Sequence, residues 1–242
     1  MQLIKLDAID STNEFLKGLS SNQLLENFTV VTAENQTKGK GQMGAIWNSE
    51  PGKNLIMSVL VYGFVSDINR LFDINIVVST SIIQALEDFN IPELSVKWPN
   101  DIMSYTKKIG GILIENSIKS DGSISSIVGL GLNVNQINFE NLPKASSLAV
   151  ICKTNFDTEK ILLTIIEKLK QNTQIWPQNS DLLWSEYSNK LFKIGMPMPF
   201  AGQNQHNFMG IIKGVSPIGK LEVLLEDDSI IAFDIKEIQL LY

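Results

Sequence analysis

Three glycines in the segment AENQTKGKGQMGAIW, residues 33–47, have a spacing that lets a backbone approach a phosphate group closely. Gly39, Gly41 and Gly44 form a G-x-G-x-x-G pattern, and Lys40 lies between the first two of them. Such a loop offers backbone N–H groups and one cation to an anion. We therefore expect a flexible loop that closes over an anionic group, although an ordinary glycine-rich turn would give the same pattern.

Three phosphate-binding motifs with glycines at this spacing are excluded by the surrounding residues. A P-loop needs Lys and Ser or Thr after its last glycine, but Ala45 and Ile46 stand there. A dinucleotide-binding loop needs a helix after it, but Pro51 and Gly52 interrupt the segment that follows. A kinase glycine loop requires H-R-D and D-F-G motifs elsewhere in the chain, and the sequence has neither.

Two further segments place glycines beside polar or cationic residues. In VKWPNDIMSYTKKIGGILIE, residues 96–115, Asp101 follows a Pro-marked bend and Lys108 precedes a Gly-Gly pair. A tight hairpin with a solvated lysine pair explains this segment equally well when it is taken alone. In GLGLNVN, residues 129–135, glycines alternate along a predicted strand. One face of that strand is therefore expected to be bare for a ligand.

The composition limits the chemistry that these segments can perform. The 242-residue chain has a net charge of −6, with one arginine (Arg70), one histidine (His206) and one cysteine (Cys152). A single cysteine excludes an internal disulfide and a zinc site built on several cysteines. His206 lies in a polar, turn-like stretch, where a surface histidine is expected rather than a catalytic one. Because arginine is almost absent, phosphate binding would depend on lysines, backbone N–H groups and a metal ion. The acidic net charge argues against DNA binding.

The sequence has the composition of a folded domain without targeting segments. Hydrophobic residues make up 44% and charged residues 19% of the chain, which is typical of a protein with a substantial core. We find no apolar run long enough to cross a bilayer, and MQLIKLDAID lacks the features of a signal peptide. We expect a cytoplasmic location without membrane association.

Hydrophobic patterns along the chain predict an α+β fold. Strands are predicted at residues 2–6, 28–34, 54–63, 94–101, 108–118 and 123–134, and helices after Asp10 or Ser11 and at 70–90, 157–172 and 181–191. Beyond Gly195 there are only short strands and turns, and five such strands suggest a small SH3-like β-barrel. Since strands and helices do not alternate strictly before that point, a mixed β-sheet flanked by helices is expected there.

Taken in order, the motifs resemble those of biotin protein ligase, or biotin–[acetyl-CoA-carboxylase] ligase. The shared segments are DSTN at 10–13, AENQTKGKGQMGAIWNSEPGKNL at 33–55, VKWPNDI at 96–102, KIGGILIE at 108–115, GLGLNVN at 129–135 and ASSLAV at 145–150. The resemblance covers nearly the whole chain. It implies a catalytic domain of the class II aminoacyl-tRNA synthetase-like, biotin/lipoate ligase type over residues 1–187, and a C-terminal SH3-like domain over residues 188–242.

The resemblance implies a two-step reaction that consumes ATP. The biotin carboxylate attacks the α-phosphate of ATP to give biotinyl-5′-AMP and pyrophosphate, and a lysine of a biotin carboxyl carrier domain then attacks this mixed anhydride. Mg²⁺ is the implied cofactor, and the carrier domain of a biotin-dependent carboxylase is the implied partner. The chain starts directly with the catalytic motifs, so we expect the short form without an N-terminal DNA-binding domain. A homodimer formed through an exposed strand is compatible with this form.

Carried over position by position, the resemblance also implies the site residues. Lys108 matches the lysine held near the biotin carboxylate and the α-phosphate, and Lys40 and Asp101 complete the expected catalytic set. The positions expected to bind biotin or biotinyl-5′-AMP are Ser11, Thr12, Asn13, Gln36, Gly39, Lys40, Gly41, Gln42, Lys108 and Gly111. Asn100, Gly131 and Asn133 match positions near the adenine. Asp101 is expected to help position the metal or the incoming amine, and no other residue is assigned to a metal.

The glycine loop departs from the family pattern. Many members carry arginines here, where this sequence has Lys40, Gln42, Met43 and Ala45. Since lysine lacks the bidentate fork of arginine and glutamine has no charge, weaker retention of the adenylate is expected. Two alternatives stay open. A lipoate– or octanoate–protein ligase of the same fold would lack the KWPND motif, and an inactive biotin-binding sensor would not need Lys40 and Lys108.

Overall fold

Two β-sheets, one of seven and one of five strands, form the framework of the chain. The computed structural model describes residues 2–119, 122–140, 142–202 and 207–242, so His206 and part of the predicted turn at 120–122 lie outside the described residues. The first sheet contains β1 (Leu3–Ile9), β2 (Val30–Gln36), β3 (Leu55–Tyr62), β4 (Leu94–Lys97), β5 (Asp101–Ser104), β6 (Lys107–Ile118) and β7 (Ile124–Leu132). Their order is β1-β2-β3-β7-β6-β5-β4. Only β1 and β2 pair in parallel, and the other pairs in this sheet are antiparallel.

Helix α1 (Thr12–Asn22) connects the two parallel strands and covers one face of the sheet. It begins at Ser11, whose side chain accepts a hydrogen bond from the Glu14 backbone N–H and so satisfies one of the free N–H groups of the first turn. Its buried Leu16 packs with Val31 and Leu60 of the neighbouring strands. The helix predicted after Asp10 or Ser11 is confirmed, with Ser11 as its cap.

Two longer helices cover the opposite face of the sheet. They are α2 (Phe72–Asp88) and α4 (Thr158–Asn189), with the short α3 (Leu148–Cys152) between them along the chain. Val30 and Val59 face these helices, whereas their neighbours Val31 and Leu60 face α1, as the two-residue period of a strand requires. The two helices predicted at 157–172 and 181–191 are the two segments of α4, separated by a kink at Asn179, whose backbone is non-helical. The first segment is longer than predicted and includes Pro177.

The second sheet contains β8 (Pro197–Gly202), β9 (Asn207–Val215), β10 (Leu221–Leu224), β11 (Ile230–Phe233) and β12 (Ile238–Leu240). Its order is β11-β10-β9-β8-β12, and all its pairs are antiparallel. Buried Phe200 and Val223 belong to the same hydrophobic cluster as the main sheet, and the Trp98 indole N–H donates to the Gly219 carbonyl at 2.9 Å. The second sheet is therefore packed directly against the element that carries the WPND segment.

The predicted α+β class and the five C-terminal strands are confirmed. The strand β5 is missing from the sequence prediction, in which Asp101 ends the strand at 94–101 and residues 102–104 have no assigned structure. The boundary between residues 187 and 188 stays a prediction. It falls in the last turn of α4, which ends at Asn189, and the second sheet begins at Pro197.

Candidate active site

A cavity of about 910 Å³ lies between the first sheet and the second. One end is lined by residues at the start of α1, and the middle by the glycine loop, Lys108 and the glycines of β6 and β7. The other end is lined by residues 235–241 of the second sheet. The size is within the range of small-molecule sites. The cavity brings together residues as far apart in the sequence as Ser11 and Leu241.

Polar side chains at the α1 end form one buried network. The Thr12 backbone N–H and hydroxyl both donate to Gln36 Oε1, at 2.7 and 3.0 Å. Ser58 Oγ donates to Asn13 Oδ1 at 2.6 Å, and Asn13 Nδ2 donates to Glu115 Oε2 at 2.9 Å. Because each side chain is held by a neighbour, this end offers a fixed pattern of donors and acceptors. Ser11, Thr12, Asn13 and Gln36 all line the cavity, as they would if they bound a ligand.

The glycines of β7 make room for two side chains of the site. A Cβ atom on Gly131 would overlap the Trp47 indole, and one on Gly129 would overlap the Asn13 amide. Gly129 and Gly131 themselves line the cavity, but Asn13 and Trp47 occupy the space beside them. This strand face is therefore only partly open to the cavity, and the side chains of Asn13 and Trp47 line the cavity as well.

The glycine loop forms a tight, hairpin-like turn between β2 and β3. The Gly41 N–H donates to the Ala45 carbonyl at 2.7 Å and the Trp47 N–H to the Gly39 carbonyl at 3.0 Å. Gly44, with φ of 83°, has the left-handed conformation that favours glycine. Lys40, Gly41 and Gln42 line the cavity, whereas Gly39 does not.

Lys40 at the loop is neutralised by an acid of α1. Its ammonium group lies 2.6 Å from Glu14 Oε1. This hydrogen bond raises the pKa of Lys40 and lowers the pKa of Glu14. Both side chains are about half exposed, so the pair is weak and accessible to a competing anion.

Lys108 lies at the centre of a compact charge cluster. Its Nζ is 2.5 Å from Asp101 Oδ1, and Lys97 Nζ is 3.5 Å from Asp101 Oδ2. Asp101 is paired with Gly111 across β5 and β6, so there is no side chain opposite the carboxylate to keep the lysine away. The cluster has two ammonium groups and one carboxylate, and it retains positive charge for an anionic ligand.

The backbone around Lys108 is fixed by the loop that precedes α3. The Lys108 N–H donates to the Lys144 carbonyl at 2.7 Å, and the Ser146 N–H donates to the Lys108 carbonyl at 2.9 Å. Asn133 Nδ2 donates to the Ser146 carbonyl at 3.0 Å and does not line the cavity. Asn100 lines the cavity, but its Nδ2 donates to the Ile112 carbonyl at 2.6 Å. Both asparagines therefore hold the backbone of the site in position.

Trp47 provides a hydrogen-bond donor that has no partner. Its indole N–H is buried and makes no hydrogen bond among the residues that the structure describes. The indole ring lies 5.7 Å from the Lys108 ammonium nitrogen. A buried donor without an acceptor is costly, so an acceptor on a ligand next to Lys108 would be favoured.

Several lining residues are absent from the sequence prediction. Trp47 and Lys97 lie within the recognised motifs, so the motifs themselves could have revealed them. Lys236 of the β11–β12 turn lines the cavity and its ammonium group is 3.3 Å from the Met43 carbonyl of the glycine loop. No local pattern in the sequence connects residues 236 and 43.

The acidic residues do not form a protein cage for a metal ion. Within the described ranges there is no group of three or more His, Cys, Asp or Glu residues suited to holding a metal. Asp101, the carboxylate beside Lys108, has a lysine close to each of its oxygens. Such a donor set fits a magnesium ion that is held mainly by substrate phosphates.

In the part of the chain that the structure describes, no helix is long and apolar enough to span a membrane.

Comparison with known proteins relates this site to a protein family. The model of the "Biotin/lipoate A/B protein ligase family" matches residues 6–135. The Bifunctional ligase/repressor BirA of Bacillus spizizenii is 34% identical over 55% of this chain, which spans only 41% of that relative's length. BirA of Escherichia coli is 27% identical over 93% of the chain and 70% of its own length.

A solved structure extends the similarity over the complete fold. The biotin protein ligase from Aquifex aeolicus in complex with biotin and ATP has a TM-score of 0.79 to this chain and is 28% identical to it. The match covers 99% of this chain and 98% of that one. The matched region thus includes both sheets and all the cavity-lining segments.

Proposed function

The chain belongs to the biotin/lipoate A/B protein ligase family, and from this premise we propose that it is a biotin–protein ligase. It activates biotin with ATP as biotinyl-5′-AMP and then transfers biotin to a lysine of a biotin carboxyl carrier domain. The main support is one cavity that joins a buried polar network, a glycine loop and the Lys108–Asp101 pair. The Aquifex aeolicus protein, which is similar over its whole length, binds biotin and ATP.

The polar end of the cavity favours biotin over lipoate. The ureido ring of biotin has two N–H donors and a carbonyl acceptor, and the network of Thr12, Asn13 and Gln36 offers matching groups. The dithiolane ring of lipoate has no N–H group or carbonyl. Lipoate could therefore not use the hydrogen-bonding capacity that these side chains keep beyond their contacts with one another, and a site built to hydrogen-bond such groups disfavours an analogue that lacks them.

The first step requires two anions to approach each other. A carboxylate oxygen of biotin attacks the α-phosphorus, the bond between this phosphorus and the bridging oxygen to the β-phosphate breaks, and pyrophosphate leaves. Lys108 is the central charge in this step, since its ammonium group would stabilise the negative charge that develops on the α-phosphate oxygens. The unpaired Trp47 N–H is a second donor beside it, and Lys40 approaches from the loop.

The second step transfers the acyl group. The amine of the carrier lysine attacks the carbonyl carbon of biotinyl-5′-AMP, the bond to the phosphate oxygen breaks, AMP leaves and the amine loses a proton. Asp101 holds Lys97 and Lys108 in position during both steps. In the first step, Mg²⁺ on the ATP phosphates would supply additional positive charge, and Asp101 is the carboxylate beside Lys108 that could help to hold it.

The remaining assignments extend this proposal. Gly39, Gly41 and Gln42 form the loop over the adenylate, and Asn100 and Asn133 hold the segments around the adenine. Gly111 and Gly131 leave space for Trp47 and Lys108 beside the adenylate. Residues 1–187 act as the catalytic domain and residues 188–242 as the C-terminal domain. ATP as a substrate and the lone free Cys152 favour the cytoplasm, and the acidic chain is not expected to bind DNA. An edge strand such as β1 is available for a homodimer.

Exchange of labelled pyrophosphate into ATP tests the proposal, with wild type, Lys108→Ala and the neighbouring Lys107→Ala measured in parallel. Exchange should require biotin and ignore lipoate. It should fall about 100-fold or more in Lys108→Ala, because an oxyanion-stabilising group is removed. Lys107, whose side chain is exposed and donates to the Pro143 carbonyl, serves as the matched control and should exchange normally. No exchange from folded wild-type protein with magnesium present would refute the ligase assignment and favour a biotin-binding protein.

A further inference from the structure

The side chain of Tyr242, which follows β12 and does not line the cavity, lies against Lys97 and Lys144. The Lys144 ammonium nitrogen is 4.1 Å and the Lys97 ammonium nitrogen 5.6 Å from the centroid of the Tyr242 ring. Both distances are within the range of a cation–π interaction. The Phe192 ring packs edge-on at 5.0 Å, and the Leu241 N–H donates to the Pro199 carbonyl at 2.9 Å. The Tyr242 ring is therefore held firmly in place.

Each of the two lysines is connected to Lys108 by a different contact. The Lys144 carbonyl accepts the hydrogen bond of the Lys108 N–H at 2.7 Å. Lys97 shares the Asp101 carboxylate with the Lys108 ammonium group. The Tyr242 ring therefore contacts both lysines that hold Lys108 in place. Lys144 holds the Lys108 backbone, and Lys97 shares the Asp101 carboxylate with the Lys108 side chain.

The charge of the cluster explains why an aromatic ring suits this position. Lys97 and Lys108 already share a single carboxylate, and Lys144 adds a third ammonium group nearby. A second carboxylate would hold these lysines but would cancel the positive charge that an anionic substrate needs. The face of an aromatic ring attracts ammonium groups without adding a negative charge.

We infer that Tyr242 is a positioning residue of the adenylation step, which holds Lys97 and Lys144 and thereby keeps Lys108 aligned with the α-phosphate of ATP. The inference rests on the proposed ligase function. Tyr242 itself does not line the cavity, so its effect would be indirect. The second sheet would in this way take part in the chemistry of the first.

The test compares Tyr242→Leu, Tyr242→Phe and Tyr62→Leu in biotin-dependent pyrophosphate exchange. Tyr242→Leu should lower kcat/KM for ATP about five- to twentyfold, as expected for the loss of two cation–π contacts, while the KM for biotin stays unchanged. Tyr242→Phe keeps the ring and should exchange like wild type. Tyr62→Leu removes a partly exposed tyrosine at the end of β3 that does not line the cavity, and it controls for a general effect of losing a tyrosine. Thermal unfolding of each variant confirms that it is folded.

The outcomes separate this inference from the function on which it rests. Wild-type exchange together with an unaffected Tyr242→Leu variant would overturn the inference alone. An equal loss in Tyr242→Leu and Tyr242→Phe would overturn it as well, since the hydroxyl rather than the ring face would then be responsible. Absence of exchange by the wild type would overturn the proposed function and the inference together.

Discussion

The ammonium nitrogen of Lys108 lies 2.5 Å from Asp101 Oδ1, across the antiparallel pair of strands β5 and β6. Three residues along β6 from Lys108, Gly111 lies opposite Asp101 and presents no side chain. A lysine used for catalysis needs a fixed position as much as a charge. In this site the carboxylate fixes the position, and the second lysine on the same carboxylate preserves the net positive charge.

Replacing Asp101 should therefore impair catalysis even though the variant gains positive charge. In Asp101→Asn, Lys97 and Lys108 lose their shared counter-ion and repel each other. We expect kcat for pyrophosphate exchange to fall about tenfold or more, since removing one partner of a poorly exposed ion pair is costly. Asp88→Asn, which breaks the more exposed pair with Lys168, should leave exchange unchanged. Undiminished exchange by Asp101→Asn would mean that Lys108 needs no positioning by a carboxylate.

The ion pair between Glu14 and Lys40 should respond to mutation but not to pH near neutrality. The lowered pKa of Glu14 keeps the pair intact above about pH 4.5, and it is lost as the pH falls through that lowered value. The raised pKa of Lys40 keeps the pair intact below about pH 10.5, and it is lost as the pH rises through the raised value. Between these limits its contribution is constant.

Glu14→Gln should release Lys40 for the substrate. We expect the KM for ATP to fall about two- to fivefold at low salt, with a smaller effect at high salt, since both groups are accessible to solvent. Steady-state exchange kinetics at two ionic strengths would measure this change. An unchanged KM at low salt would indicate that the Lys40 ammonium group does not approach the phosphates.

Alanine at Gly131 should disturb the site through Trp47. A Cβ atom there would overlap the indole ring, so the ring must move or the strand must shift. We expect a loss of about 1–3 kcal/mol in the free energy of unfolding, as is typical of overpacking, and weaker biotin binding. Urea denaturation and calorimetric titration with biotin would measure the two effects.

Gly18→Ala provides the control for the glycine replacement. Gly18 lies in α1 with nothing within 4 Å of an added Cβ. Alanine there should stabilise the protein by about 0.5–1 kcal/mol, because it favours the helix. A Gly131→Ala variant with wild-type stability and biotin affinity would contradict the tight contact between Gly131 and Trp47.

Tyr187 should lower the free energy of unfolding at alkaline pH. The side chain is buried, and its hydroxyl has no hydrogen-bond partner in the part of the chain that the structure describes. Burial raises the pKa of this hydroxyl above its ordinary value of 10.0. The unfolded chain therefore releases this proton more readily than the folded chain, and stability that is fully present below pH 10 is lost as the pH rises further.

Tyr187→Phe tests this dependence. The variant should be as stable as the wild type at pH 7, or more stable by about 1 kcal/mol, since an unpaired buried hydroxyl is removed. Between about pH 9 and 11 it should lose less stability than the wild type does, as measured by urea unfolding. Tyr105→Phe, at an exposed turn, should follow the wild type. Parallel curves for the wild type and Tyr187→Phe would contradict the burial of the hydroxyl.

The parts of the site that the sequence predicted are those with a local signature. Ser11 has the residue type of a helix cap directly before an amphipathic segment, and the glycines at 39, 41 and 44 lie between two predicted strands, where they indicate a turn. These local patterns are sufficient to predict the start of α1 and the turn between β2 and β3. The α+β class follows in the same way from hydrophobic patterns, some with the period of a helix and some with the period of a strand, along the chain.

The parts that were missed depend on contacts between distant residues. Lys236 approaches Met43 across the chain, and Tyr242 approaches Lys97, only because the second sheet packs against the WPND segment. The glycines of β7 have the same sequence signature whether a ligand or an indole covers them. Tertiary contacts determine whether a ligand or an indole covers these glycines, and in this structure Trp47 lies against Gly131.

The hydrogen bond from Lys236 to the Met43 carbonyl has a kinetic consequence. It joins the tip of the glycine loop to the second sheet at the mouth of the cavity. A single exposed hydrogen bond contributes only about 1 kcal/mol, and loops move within nanoseconds to microseconds. We therefore expect the hydrogen bond between Lys236 and Met43 to open and close readily. If the chain forms the anhydride proposed above, we expect hydrolysis of this anhydride to compete with its transfer to the acceptor lysine while the bond is open. The yield of modified protein would then depend on how long the bond between Lys236 and Met43 stays closed.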